Sequence, residues 1–194
     1  MEMTEIRQKL RHSEELKKAV EVILKEIGET PEREGLKRTP YRYAKACEEW
    51  FGGYGKNPKD VLDRKFKTGY KITGMIIIKD ISYVSFCEHH LVPFSGTVDI
   101  AYIPKKLVSG LDKFVKLVEI YARRAQIQER MAEQIADAIW KELKPIGCMI
   151  IVKGKHLCVS SRETKNSTTE MVYSALRGSF NQSKVRLEFL ELRK

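Results

Sequence analysis

Ile81-Ser82-Tyr83-Val84-Ser85-Phe86-Cys87-Glu88-His89-His90 is the stretch on which the reading of this chain turns. Its first six residues form an apolar run suited to a strand. The last four place a sulfur and two imidazoles at the strand's end. Cys87 and His90, spaced C-x-x-H, can turn back onto one metal ion, because that spacing fits a tight loop. Two ligands do not close a tetrahedral zinc site. The other close His/Cys pair, His156-Leu157-Cys158, offers Cys158 as a third. Water would take the fourth position, which is the open arrangement of a catalytic zinc. His89 and His156 are then imidazoles beside the metal, suited to proton transfer near neutral pH.

A lone C-x-x-H is weak evidence, and a lone buried cysteine is usually a small core hydrophobe. Concentration moves the odds here. Three of the four histidines and two of the four cysteines fall in these two clusters. Cys47 and Cys148 stand in helical and apolar surroundings and are read as core.

Working outward, Ile72, Met75 to Ile78 and Ile81 to Phe86 read as strand, and Phe94 to Ile103 as a second one bounded by Pro93 and Pro104. The pair predicts an antiparallel hairpin whose loop carries the metal ligands. Leu111, Val115, Val118 and Ala122 mark one helix, and Ile127, Met131, Ile135, Ile139 and Leu143 another, closed by Pro145 and Gly147. Strands are expected at Cys148 to Val152, Leu157 to Ser161 and Met171 to Phe180. Val185 to Leu192 fits a strand or a short helix, with helix favoured. Two strands, two helices and two strands make an α+β arrangement, an antiparallel sheet with helices on one face.

Ahead of this lies a helical extension, residues 1–69, before a main domain of residues 70–194. Ile6, Leu10, Leu16, Val20, Ile23 and Ile27 recur at helical spacing, and Gly28 ends the run. Thr39-Pro40 opens a second helix, with Thr39 as N-cap and Pro40 in its first turn.

The chain has 194 residues, enough for one domain with an extension. No apolar run approaches the length of a membrane span, and Met1-Glu2-Met3-Thr4-Glu5 is no secretory signal. Four irregularly spaced cysteines, two wanted as thiolates, point to a reducing compartment and hence to the cytoplasm. The net charge of +10 favours an anionic partner. No helix carries a continuous basic stripe and the aromatics lie in apolar runs, which argues against nucleic acid and for a small polyanionic substrate.

With Cys87-Glu88-His89-His90, Gln126-Ile127-Gln128-Glu129-Arg130, His156-Leu157-Cys158 and Ser174-Ala175-Leu176-Arg177-Gly178 in view, the chain resembles the zinc-dependent GTP cyclohydrolase I family from about Thr39 to Leu192. The resemblance implies the tunnelling fold, a ββααββ unit whose sheets join around a symmetry axis. It also implies a homodecamer with active sites between subunits. It assigns zinc (Zn2+) to Cys87, His90 and Cys158. The reaction implied is hydrolytic opening of the guanine imidazole ring of GTP at C8, with loss of formate. Ribose rearrangement and reclosure then give 7,8-dihydroneopterin triphosphate.

In that chemistry a metal that acidifies a bound water supplies the nucleophile. By resemblance His156 is the acid at N7, and His89 assists ring opening and rearrangement. Glu129 is the guanine anchor, since a carboxylate can accept both N1–H and the 2-amino N–H. Gln128 is a weaker candidate beside it. Lys113, Lys116 and Arg162 are the triphosphate cations, with Lys116 where the family often has Arg. Asp112 stands where the family usually has Ser at the ribose and phosphate end. Glu163 stands where it often has Gly, with Lys165 two residues on. Both acidic residues put substrate handling in question, so a paralogue acting on another guanine nucleotide, or giving an altered pterin or deazapurine precursor, is the alternative.

Overall fold

The computed structural model describes residues 13–63, 65–67, 69–162 and 168–194. The expected helical residues Ile6 and Leu10, and the positions Glu163 and Lys165, lie outside the described residues. The chain divides into two compact units, Met1–Lys56 and Asn57–Lys194. The first contains α1 (Glu14–Glu26) and α2 (Thr39–Trp50), which pack together through Val20, Leu24, Ala44 and Cys47. Ser13 caps α1 by accepting from the Leu16 amide. Thr39 is not the cap of α2: it is already helical, Arg38 precedes it without a side-chain cap bond, and Pro40 sits in the first turn as expected.

The second unit begins with the short α3 (Pro58–Val61) and β1 (Lys65–Phe66), so residues 57–69 group with the sheet rather than with the helical stretch before them. Its main elements are β2 (Ile76–Cys87), β3 (Pro93–Ile103), the short β4 (Val108–Ser109), α4 (Leu111–Ala122), the short β5 (Ala125–Gln126), α5 (Gln128–Leu143), β6 (Gly147–His156), a helical turn α6 (Leu157–Ser160), β7 (Met171–Gly178) and α7 (Ser183–Leu192). The long elements follow the ββααββ succession expected. The five-stranded sheet runs β5-β2-β3-β6-β7, with only β5 parallel to its neighbour, and β1 and β4 form a small antiparallel pair.

The segment read as strand before Cys87 is one strand from Ile76, with a bulge between Ile78 and Ile81; Ile72 and Met75 lie ahead of it. Asp80 there adopts φ +58, and its amide donates to the buried Asp99 carboxylate at 2.8 Å. The apolar faces follow the pleat. Ile100, Cys148, Ile150 and Val152 face α4 and α5 and form the main core with Leu117, Met131, Ile135 and Ile139. Ala101, Met149 and Ile151 face the other way and are covered by Phe180 and Phe189. Helices therefore cover more than the one face expected, because strand alternation leaves a second apolar row that α7 closes.

Two boundaries differ from expectation for local reasons. Leu157 to Ser161 is a helical turn, not a strand, because pairing of β6 with β3 stops at His156–Phe94 and the next residue of β3 is Pro93. β7 stops at Gly178, whose φ of +61 turns the chain into a single 3-10 turn.

Candidate metal centre and active site

The register of β2, β3 and β6 gathers the ligands at one end of the sheet. Phe86 faces Pro93 and Phe94 faces His156, so the Cys87 loop and the His156 turn leave the sheet side by side. The loop is pinned by its own backbone: the Cys87 amide donates to the Val92 carbonyl (2.9 Å), and the His90 and Leu91 amides return to the Cys87 carbonyl (3.3 and 2.8 Å). Leu91 takes φ +52 to close it. Nδ1 of His90 lies 3.7 Å from Cys87 Sγ. Cys158 comes in on α6, and the ligand atoms of Cys87, His90 and Cys158 lie within 4.8 Å of one another. Two thiols and an imidazole at this separation could hold one metal ion, and three protein ligands would leave a coordination position open.

His89 Nδ1 is 3.6 Å from Cys87 Sγ, but its side chain is 64% exposed and it stands outside that trio. Burial and the neighbouring Cys87 push the Cys158 thiol up, so metal uptake must displace a tightly held proton. Cys47 and Cys148 are buried, the latter with its thiol pushed up to about 12 by burial, which suits core residues.

The loop has a second layer of support that sequence reasoning missed. β5 lies alongside Phe86–Cys87, and the Glu88 amide donates to the Gln126 carbonyl at 3.0 Å. Arg130 donates to the Glu88 carboxylate, to Gln126 Oε1 (3.0 Å) and to the Ala125 carbonyl (3.1 Å). The i,i+4 spacing of Gln126 and Arg130 was the available signal. Phe94 lies flat on the His156 ring, with centroids 4.5 Å apart and planes 5° from parallel. Its position directly after the strand-opening Pro93 gave no hint of this.

Gln128 is placed otherwise than expected of a substrate contact. It is 1% exposed, and its amide nitrogen donates to the Val152 and Met171 carbonyls, both at 3.0 Å. That fixes the orientation of the amide. Its oxygen must accept, so His156 Nε2–H donates to Gln128 Oε1 at 2.9 Å. Gln128 therefore holds one tautomer of His156 and has no donor left for a ligand. Gly154 makes room for it: a Cβ there would collide with Gln128 Oε1 and the Tyr83 hydroxyl. Burial lowers the His156 pKa, and the charge of Glu129 acts in the opposite direction. Glu129 itself stands half-buried in the first turn of α5.

Arg162 also reaches this end, donating to His90 Nε2 at 2.7 Å. Lys113 and Lys116 do not. They lie in the first half of α4, and both are bound to Asp112 Oδ2, at 3.2 and 3.1 Å. Hydrogen bonds from Lys116 and then Lys113 hold the Asp112 carboxyl below its usual range. A helical rise of about 1.5 Å per residue puts Lys113 about 14 Å along α4 from Ala122, after which the chain turns toward β5 and the metal loop. One chain thus gathers Cys87, His89, His90, Cys158, His156, Gln128, Glu129 and Arg162, and carries Lys113, Lys116 and Asp112 elsewhere.

Comparison with known proteins places the chain in a family. The GTP cyclohydrolase I family profile matches residues 16–194. A GTP cyclohydrolase 1 of Dehalococcoides mccartyi is 48% identical over 180 residues, covering 91% of this chain and 94% of its own. Proteins of the same name from Thermobifida fusca and Rickettsia bellii are each 44% identical over 180 residues, covering 86% and 94% of their own lengths. A solved archaeosine synthase QueF-Like in the apo form is 21% identical and covers 56% of this chain, with a TM-score of 0.46. The chain belongs to the GTP cyclohydrolase I family.

Proposed function

We propose that this chain hydrolyses GTP, opening the guanine imidazole ring at C8 to give formate and 7,8-dihydroneopterin triphosphate, at the entry to folate or another pterin pathway. The observation that carries this is the Cys87, His90 and Cys158 trio, within 4.8 Å and beside the Gln128-bound His156. Cys87, His90 and Cys158 would hold zinc, which would make a bound water nucleophilic near neutral pH.

The chain's own residues do the rest. Glu129 accepts N1–H and the 2-amino N–H of guanine, a pair adenine does not offer. His156, held flat against Phe94 and in one tautomer by Gln128, hands a proton to the imidazole ring of the base and takes it back. Burial pulls its pKa down, and the charge of Glu129 acts in the opposite direction. His89, exposed beside the loop, serves the later proton transfers. Arg162 meets the triphosphate from this end.

Lys113 and Lys116 serve the same triphosphate from a neighbouring copy. Their distance along α4 supports a homo-oligomer, a homodecamer by the family's pattern, with each site completed between subunits. Among the described residues no helix is long and apolar enough to cross a membrane, and all four cysteines are free. Free thiols support a cytoplasmic location. The reading that another guanine nucleotide is the substrate loses its motive at Asp112, whose carboxylate is occupied by two lysines.

The test is direct. Purified, zinc-loaded protein is incubated with GTP, GDP and dGTP, and formate and the fluorescence of the oxidised pterin are measured. Formate and pterin from GTP in equal amounts support the reading. Formate without pterin, or turnover of GDP alone, overturns it.

A further inference from the structure

At the far end of the second unit, away from the metal loop, lies a cavity of about 810 Å³ for which the ring-opening reaction has no use. Lys67, Lys105, Lys106, Lys141 and Lys144 line it, together with Trp140 and the apolar side chains of Leu143 and Pro145. The five amines come from three separate segments: the residue after β1, the turn leaving β3 and the end of α5. The dipole at the C-terminus of α5 accounts for Lys141 and Lys144. It does not account for Lys67, Lys105 and Lys106 converging on the same space.

Among the described residues no carboxylate lines the cavity, and none of the five lysines forms an ion pair. Glu142, in sequence between two of them, is 8% exposed and turned away, bound to Lys65 at 3.1 Å. Five like charges around one space repel one another, and an anion between them relieves that repulsion. The volume matches that of pockets for nucleotide-sized ligands, which run from about 300 to 1,000 Å³. Trp140 lines the cavity and is 40% exposed, and one edge of its indole lies so near Gly178 that a Cβ there would strike it. An open aromatic face beside clustered ammonium groups suits a ligand with a flat ring at one end and several negative charges at the other.

We propose that this cavity is a second ligand site, which binds a nucleoside polyphosphate with its base against Trp140 and its phosphates among the five lysines. It does not depend on the ring-opening reading, since it shares no residue with the metal centre or with Glu129.

Trp50 and Trp140 are the two tryptophans of the chain, so Trp50→Phe leaves Trp140 as sole reporter. The assembled, zinc-loaded protein with that substitution is titrated with ATP, which lacks the guanine donors Glu129 reads, and separately with inorganic triphosphate. Saturable quenching of Trp140 by ATP is expected, with triphosphate binding at least about threefold more weakly for want of the stacked base. Raising salt from about 0.05 to about 0.5 M weakens both. Lys105→Glu with Lys144→Glu should weaken ATP binding by about tenfold or more. The milder pair Lys105→Gln and Lys144→Gln, which keeps the stems, should show a smaller loss in the same direction and guards against misfolding. Arg162→Ala should leave the signal unchanged. The proposal is overturned by absence of saturable quenching, by quenching that survives both lysine pairs, or by quenching lost in Arg162→Ala. Quenching by a single-stranded oligonucleotide but not by ATP overturns it equally.

Discussion

The two ends of the second unit are built to different degrees. At the metal end almost every group is held by another: the Cys87 loop by its own backbone and by Gln126, Glu88 by Arg130, His156 by Gln128 and Phe94. At the start of α4, Lys113 and Lys116 are tied, among the described residues, to Asp112, whose side chain is 57% exposed. A site that performs chemistry must hold its groups before substrate arrives, because reorganisation during the reaction costs rate. A site that grips phosphate can gather its cations on binding. On the proposed function, the difference separates the half of the site that one chain would complete from the half that would be finished by substrate and a neighbouring copy.

The comparison predicts large, all-or-none effects at the metal end. Cys87→Ser or Cys158→Ser should lose zinc and formate release together, measured by metal analysis and formate assay, since each removes a thiolate from a three-ligand site. A variant that keeps stoichiometric zinc and near-normal turnover breaks the ligand assignment. Because the Cys158 thiol is pushed up by burial and by Cys87, protons compete strongly with metal there. Zinc affinity of the parent protein should therefore fall as pH is lowered, measured by metal titration across a pH series.

Next in size is Glu129→Ala, expected to cost several kcal/mol, or on the order of a thousandfold in kcat/KM for GTP, since two guanine donors lose their partner. Gln128→Met follows. It keeps the volume but loses the acceptor for His156 Nε2–H and strands two carbonyls. Turnover should fall by about ten- to a hundredfold with GTP binding largely kept, and stability by about 1–3 kcal/mol in denaturant titration. Weakened GTP binding with unchanged kcat would return Gln128 to the role of a substrate contact.

The metal trio was legible because its ligand types are rare in this chain and fall in two short clusters at strand ends. The sheet was legible too, since long apolar runs bounded by Pro93, Pro104 and Gly147 leave few other readings. Gln128 was not. Its task depends on the register that brings the Val152 and Met171 carbonyls beside it, and no local pattern encodes a register. Leu157 to Ser161 misled for a similar reason: the residues suit a strand, but Pro93 leaves them nothing to pair with. Arg130 was half visible through its spacing from Gln126, whereas its bond to Glu88 required the parallel pairing of β5 with β2.

At the loosely held end the effects should be smaller and salt-dependent. Lys113→Ala should weaken GTP by about tenfold but leave guanosine untouched, with the gap closing as salt rises. Equal losses for the two ligands would remove Lys113 from the phosphate site.

The smallest effect is expected at Asp112, which also tests the contrast most finely. A carboxylate near a triphosphate would meet like charge; this one lies between Lys113 and Lys116, whose hydrogen bonds lower its pKa. Its function on this reading is to keep two cations at the start of α4 until phosphate takes them over. Asp112→Ser removes a competitor for the lysines and keeps a small polar side chain at the second position of α4, whose N-cap is Gly110. Binding of GTP should tighten or stay the same, and turnover should remain within about tenfold of the parent. At high salt, where the ion pairs are screened, variant and parent should converge. A collapse in turnover with ring-opened intermediate accumulating would make Asp112 a proton carrier at the ribose. The start of α4 would then be as fully committed to the chemistry as the metal end, and the contrast between them would fail.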